Sequence, residues 1–357
     1  MNVVHYAIVA TVALGVTIGV TPIVRTAGIR WGIVSHPGGR HVHSGVVPRI
    51  GGLAMFAGFA AGLLTQYLGE VFWGFDEVLA KMGRPGIGVI LGAALVFAVG
   101  FLDDIFDLRP WQKLLGQAAA AGVVVALGVK ISFVSNPFGG GIFLLGVLSV
   151  PLTIFWIVSF ANVVNLIDGL DGLAAGVTAI AAASFLVLAV QGNVFGAAVF
   201  AATLLGACVG FLRYNFNPAS IFMGDSGALF LGFVLACIAL LGVMKSVAAI
   251  TLVVPLLIVG VPIFDTLSAI IRRSRHGQPI QTADKGHIHH RLLGRGFNQR
   301  QTVLIIYVWS IALAVGGYAM RWSPPVFRVI TLVVLAALSG LMAYWLGLFE
   351  AAHHEDE

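Results

Sequence analysis

The sequence predicts an all-α fold, a polytopic integral membrane bundle of about eleven transmembrane helices. Three observations carry that prediction. Of the 357 residues, 59% are hydrophobic and only 10% charged, where a soluble domain carries about 25% charged residues. Glycine, at 45 residues, far exceeds its average of about 7%, and membrane helices use it for close backbone approach. Apolar runs of ~20 residues, each long enough for a hydrocarbon core of ~30 Å, recur from end to end. No soluble domain fits between them and no internal repeat is evident. Residues 1–349 therefore read as one transmembrane domain and 350–357 as a polar tail.

The first run, 3–24, has no Lys or Arg before it and Arg25 and Arg30 after it. A cleaved signal peptide needs a basic leading region, so an uncleaved span with its N-terminus outside is expected. Further spans are expected near 50–68, 87–102, 113–130, 142–160 and 172–190. Short connections near Gly192 and Lys245 separate 193–212, 227–243 and 246–270, and 301–320 and 326–348 complete the set. An odd number of crossings puts the C-terminus in the cytoplasm. Alternating the loops gathers most of the 20 Lys and Arg on one face, which the positive-inside rule makes cytoplasmic. Loops 25–49 and 271–300 are the richest. In such a protein the net charge of +5 sets orientation rather than pointing to nucleic acid. Cys208 and Cys237 lie inside apolar runs, so no disulfide framework is indicated.

The acids divide more unevenly still. Of 15, only Glu70, Asp76 and Glu77 fall outside. Acids contribute little to orientation, so their gathering needs another cause. In "FLDDIFD", Asp103 and Asp107 are i,i+4 neighbours and Asp104 and Asp107 i,i+3, so one helix end can aim several oxygens inward. Like charges so close are unfavourable unless a cation offsets them; the plainer reading is a polar loop at the membrane edge. In "ANVVNLIDGLDGLAAG", Asn162, Asn165, Asp168 and Asp171 recur every three residues after a mainly apolar run. On an unbroken helix such a row drifts by ~60° per step, and Gly169 and Gly172 can loosen it so that the row converges. Polar residues at that depth are functional by default.

"NFNPASIFMGDSGALFLG" opens another span. Asp225, between Gly224 and Gly227, is either an N-cap or a group that a metal or phosphate approaches. Asp265 in "PIFDT" lies inside a span, either paired with a buried Arg (Arg272 and Arg273 follow two turns on) or in contact with substrate. In "HIHHRLLGRG", His287 is i+3 and i+4 from His290 and Arg291, so a short helix can present them together, seated by Leu292, Leu293 and Phe297. Without Cys or suitable spacing this is no zinc site; His and Arg beside carboxylates suit diphosphate oxygens. Loop 25–49, with Arg40 and Arg49 and no acid, suits lipid headgroups or a substrate phosphate, and orientation alone explains its charge equally well. Together these stations make one site: carboxylates for Mg²⁺, which takes one or two of them plus phosphates, and basic groups for the phosphates themselves. A transporter with a midplane ion site is the competing class, disfavoured by the missing repeats and the one-sided polar residues.

These motifs, from "VHSGVVPRIGG" to the His loop and in the family's order, resemble those of the polyprenyl-phosphate N-acetylhexosamine-1-phosphate transferases. The resemblance covers well over two thirds of the chain. It implies a Mg²⁺-dependent transfer, with Mn²⁺ as a substitute, of a sugar 1-phosphate from a UDP-N-acetylhexosamine to polyprenyl phosphate, with release of UMP. It implies Asp225 as main metal ligand with Asn165 as a further one. Asp103 and Asp104 would serve the acceptor phosphate and the metal, and Asp168 and Asp171 the nucleotide and metal region. His287, His289, His290 and Arg291 would contact the donor diphosphate and sugar. The expected setting is the plasma membrane with a cytoplasmic active site and lipid all round, a homodimer being a further option and nucleic acid none. Within the family, His-Ile-His-His departs from the triple His of the branch using UDP-N-acetylmuramoyl-pentapeptide. The expected branch is therefore the one using UDP-N-acetylglucosamine, which starts teichoic-acid, O-antigen or related glycans.

Overall fold

The computed structural model describes residues 3–35, 46–135, 141–243, 253–275 and 286–348. Arg40, the expected connection at Lys245 and the tail 350–357 lie outside the described residues. The chain is an up-and-down helical bundle. It runs through α1 (Val4–Trp31), a hairpin of β1 (Val34–Ser35) and β2 (Val47–Pro48), α2 (Gly52–Phe72), α3 (Val78–Phe106) and α4 (Pro110–Ala126). A second hairpin, β3 (Phe133–Ser135) and β4 (Ile142–Leu144), and a 3-10 turn at Gly146–Leu148 lead to α5 (Ser149–Ile167), α6 (Leu173–Gln191), α7 (Phe195–Asn215) and α8 (Gly224–Val243). After these come α9 (Val253–Ile258), α10 (Gly260–Arg275), α11 (Ile288–Gly294), α12 (Gln299–Trp322) and α13 (Pro325–Leu346).

Among the described residues, nine helices are long and apolar enough to cross a membrane, and the protein is a multi-pass helical membrane protein. Two of the expected spans take a different form. α4 has 17 residues, about 26 Å at 1.5 Å per residue, somewhat less than a hydrocarbon core. The expected span 246–270 is not one straight rod where it is described, but α9 and α10 broken at Val259. Pro262 lacks the N–H that would bond back into the preceding turn, which favours a bend there. α10 then buries an i, i+3, i+4 stripe that includes Asp265, Ser268, Arg272 and Arg273. α3 also starts earlier than expected and is kinked at Gly83, whose φ of 55° no helix interior has.

α7 and α8 form the centre, and Phe200, Phe211, Phe230 and Phe233 are fully buried there. Short side chains let backbones meet: a Cβ on Gly100 of α3 would lie 2.6 Å from the Asp225 carbonyl oxygen of α8. Alternating helix directions bring the C-terminal ends of α3, α5 and α7 and the N-terminal ends of α4, α6 and α8 to one end of the bundle. There Gly51 and Gly52 donate to the carbonyls of Phe222 and Met223, and Phe222 donates to Pro48, each at 2.8 Å. These bonds fasten the chain before α2 to the chain before α8.

Candidate active site

At that end a cavity of about 330 Å³ is lined by Arg49, Asp103, Asp104, Lys113, Asn165, Asp168, Asp171 and Asp225, among others. Asp103 and Asp104 end α3 and are both buried. The Asp104 carboxylate accepts the N–H groups of Asp225 at 2.8 Å and Ser226 at 3.0 Å. A helix start leaves such groups without partners of its own, so the cap of α8 comes from α3, and Asp225 is not the N-cap. The arrangement requires Gly224. Its φ is +69°, and a Cβ there would lie 2.6 Å from both Asp104 carboxylate oxygens.

Relieved of capping, the Asp225 carboxylate faces the cleft. One oxygen accepts from the Asn165 amide at 2.8 Å and the other from the Lys113 ammonium at 2.6 Å. Lys113 also pairs with Asp103, whose other oxygen accepts the Leu108 N–H at 2.8 Å. One ammonium thus joins two carboxylates. Sequence reasoning missed Lys113, counting it only as a positive charge. No signal in the sequence set it apart, since a Lys at a span edge is already accounted for by orientation.

The row of four polar residues is split. α5 ends at Ile167 and α6 begins at Leu173 after Gly172, so Asn165 and Asp168 reach the cleft on a helix end and a turn. Asn162 stays lower in the bundle, donating to Gln117 at 2.5 Å and to the Val158 carbonyl at 2.8 Å. Asp171 also lines the cleft, but one of its oxygens accepts from Asn217 and from the Ala219 N–H, both at 2.9 Å, which ties its turn to the loop before α8. Burial pushes the Asp168 carboxyl up to about 8, and the carboxylates of Asp225, Asp104 and Asp171 add to the effect. The residue surface still opens to the cleft while protein rings the carboxyl group. Without a bound cation it keeps its proton into the neutral range. Arg49 lines the cleft and donates to Asp107 at 3.1 Å. Asp107 caps α3 in a left-handed conformation, and its exposed carboxylate, which also lines the cleft, pairs with Arg49 rather than standing beside Asp103.

The expected short helix in the His loop is present as α11, with His287 at its N-cap and Leu292 fully buried. None of its residues lines the cavity; it stands at the edge. His289 packs on Gly169, where a Cβ would lie 2.5 Å from its Nε2. Burial holds its imidazole down to about 3, with His290 adding to the effect, so His289 is a neutral packing ring and not a cation for phosphate. Asp265 bonds His287 at 2.9 Å and the Ile288 N–H at 2.8 Å, a partner that neither sequence reading of Asp265 named.

Among the described residues no group of three His, Cys, Asp or Glu forms a metal cage. Mg²⁺ needs less, since substrate phosphates and water complete its shell. Asp225 and Asp103 offer hard oxygens, and turning over the Asn165 amide would offer a third, its O and N being alike in shape. Lys113 sits between the two carboxylates, as a positive charge must. The donor set fits a hard cation that arrives with a phosphate.

Residues 86–243 match glycosyl transferase family 4. The "Probable undecaprenyl-phosphate N-acetylglucosaminyl 1-phosphate transferase" of Bacillus subtilis (strain 168) is 41% identical over 302 residues, 85% of this chain and 81% of that protein. The chain belongs to glycosyl transferase family 4. Another similar protein is the "Decaprenyl-phosphate N-acetylglucosaminephosphotransferase" of Mycolicibacterium smegmatis, 40% identical over 347 residues, 89% of this chain and 83% of its own. A "Phospho-N-acetylmuramoyl-pentapeptide-transferase" of Desulforudis audaxviator is 36% identical over 309 residues, 78% of this chain and 86% of its own. The family 4 match takes in the whole Asp103–Lys113–Asn165–Asp225 cluster and leaves Arg49 and α11 outside it.

Proposed function

We propose that this family 4 enzyme transfers N-acetylglucosamine 1-phosphate from UDP-N-acetylglucosamine to polyprenyl phosphate, undecaprenyl phosphate in bacteria, as the first membrane step of an envelope glycan. The observation that carries the reading is the Asp225 carboxylate, held between Lys113 and Asn165 at one end of an apolar bundle. There a lipid phosphate and a soluble nucleotide can meet. An acceptor phosphate oxygen attacks the β-phosphorus, the bond from that phosphorus to the α-phosphate oxygen breaks, and UMP leaves with the electron pair. Bound Mg²⁺, held by Asp225 with Asn165, would supply neutralisation of the diphosphate charge. Lys113 can turn its ammonium from the carboxylates to phosphate oxygens, and Asp103 is then free to orient the acceptor. The acceptor needs little deprotonation, because a phosphomonoester with a second pKa of roughly 6 is largely ionised near pH 7. His290 and Arg291 stand on the rim as contacts for the donor.

The donor is tested with detergent-purified protein, Mg²⁺ and undecaprenyl phosphate, reading UMP release from each UDP-sugar. UDP-N-acetylglucosamine is expected to support turnover, and UDP-N-acetylmuramoyl-pentapeptide little or none. The reverse preference would move the protein to the branch represented by the pentapeptide-transferase. Absence of UMP release from every donor would favour a transporter.

The site is proposed to face the cytoplasm from the plasma membrane. Cys208 and Cys237 are buried, so single cysteines at Val46 and Gly294, both exposed near the site end, can be read against a quiet background. In intact cells they should resist an impermeant thiol reagent, whereas one at exposed Trp73, at the opposite end, should react. Labelling at the first two positions and protection at the third would invert the topology.

A further inference from the structure

Among the described residues, three aspartates are buried over the whole residue, Asp103, Asp104 and Asp265. Two belong to the cleft. Asp265 does not line it, yet both of its oxygens are engaged, one accepting the Ile288 N–H at 2.8 Å and the other facing His287 Nδ1 at 2.9 Å. α11 is seven residues long, too short to persist alone in water. Asp265 therefore gives it a start: it satisfies one N–H at the head of the helix and holds the N-cap ring. The bond also places a proton on Nδ1 of His287 and leaves Nε2 for another partner.

The contact continues towards the cleft. The rings of His287 and His289 stack 5.7 Å apart at 7°, and His290 follows at 4.3 Å from His289. His289 sits on Gly169, in the turn between Asp168 and Asp171, where any larger side chain would meet its ring. A buried carboxylate on α10 is thus linked through α11 to the turn that carries Asp168. Such groups, which orient a functional side chain without touching substrate, matter as much as the residues they hold.

We infer that Asp265 is a positioning residue for the donor side of the site: it sets His287 and seats the segment bearing His290 and Arg291 against the Asp168 turn. This rests on the proposed function, and two readouts separate the two statements. The first is UMP release by the full-length protein in lipid nanodiscs, for Asp265→Asn, His287→Ala and the double variant. An Asn at 265 can still accept the Ile288 N–H but cannot charge-assist the His287 bond. Asp265→Asn should lose about ten- to a hundredfold in kcat/KM for UDP-N-acetylglucosamine, as for a charge-assisted hydrogen bond, mostly through KM, and Asp265→Glu should recover part of it. In the His287→Ala background the same change should cost less than about twofold, since residues acting through one contact are not additive. Losses that multiply would show that Asp265 does not act through His287.

The second readout needs no turnover. Hydrogen exchange of the peptide covering Ile288–Arg291 should speed up at least about tenfold in Asp265→Asn, with α12 unchanged. Unaltered exchange would overturn the positioning role whatever the reaction is. Should the Asn variant not fold, Asp265→Glu in the two His287 backgrounds is scored by the same criteria. A wild type that releases no UMP would remove the proposed function and leave the exchange result to decide on Asp265.

Discussion

Replacing Asp225 with Asn is expected to reduce UMP release by on the order of a thousandfold while the protein stays folded. A divalent cation stabilises transferring phosphate charge by several kcal/mol, and each 1.4 kcal/mol is tenfold in rate. The neutral amide takes away the carboxylate best placed for that cation, the one facing the cleft between Asn165 and Lys113. It keeps the backbone N–H that donates to Asp104, so the start of α8 should hold. Turnover measured across a Mg²⁺ titration, beside a thermal unfolding curve, checks both halves. Near-normal rates at ordinary Mg²⁺ would remove Asp225 from the metal site, and a collapsed unfolding transition would make it a structural residue.

Lys113→Met should move two quantities in opposite directions. The ammonium joins Asp103 to Asp225. Without it two carboxylates share a low-dielectric cleft, and like charges so placed are relieved by a cation. Binding of Mn²⁺ to the substrate-free protein should therefore tighten, on the order of tenfold, which is about 1.4 kcal/mol. Turnover should fall about a hundred- to a thousandfold, as when one preorganised donor to a developing oxyanion is lost. Electron paramagnetic resonance of free Mn²⁺ reads the first and UMP release the second. Cation binding that weakens together with activity would mean that Lys113 supports the metal site and does not stand in the cation's place.

Much of the candidate site was legible because the membrane makes polar residues expensive. Asp103, Asp104, Asn165, Asp168 and Asp225 each stood out against apolar runs, and all five line one cleft. Lys113 did not, because a basic residue at a span edge already has an explanation in orientation. Asp107 reaches the cleft with its neighbours, but α3 turns left-handed at that residue and its exposed carboxylate pairs with Arg49 instead of standing beside Asp103. His289, expected at the donor with its neighbours, is buried against Gly169 and held neutral, so it brings no charge there. Spacing gives the angle around a helix, and burial depends on what another segment brings to that face.

The sequence by itself determined the class of the molecule, an apolar multi-helix chain with its acids gathered towards one end, since length, hydropathy and charge distribution are properties of the chain alone. It also singled out the short polar segments whose residues meet at one cleft. The tertiary structure decided which of the cleft-lining carboxylates also do structural duty. Asp104 and Asp225 look alike in sequence, but the close approach of α3 and α8 at Gly100 and Gly224 turns one into a helix cap and frees the other. Unpaired N–H groups at a helix start must find an acceptor when buried, and only the packing of two distant segments settles which acceptor it is.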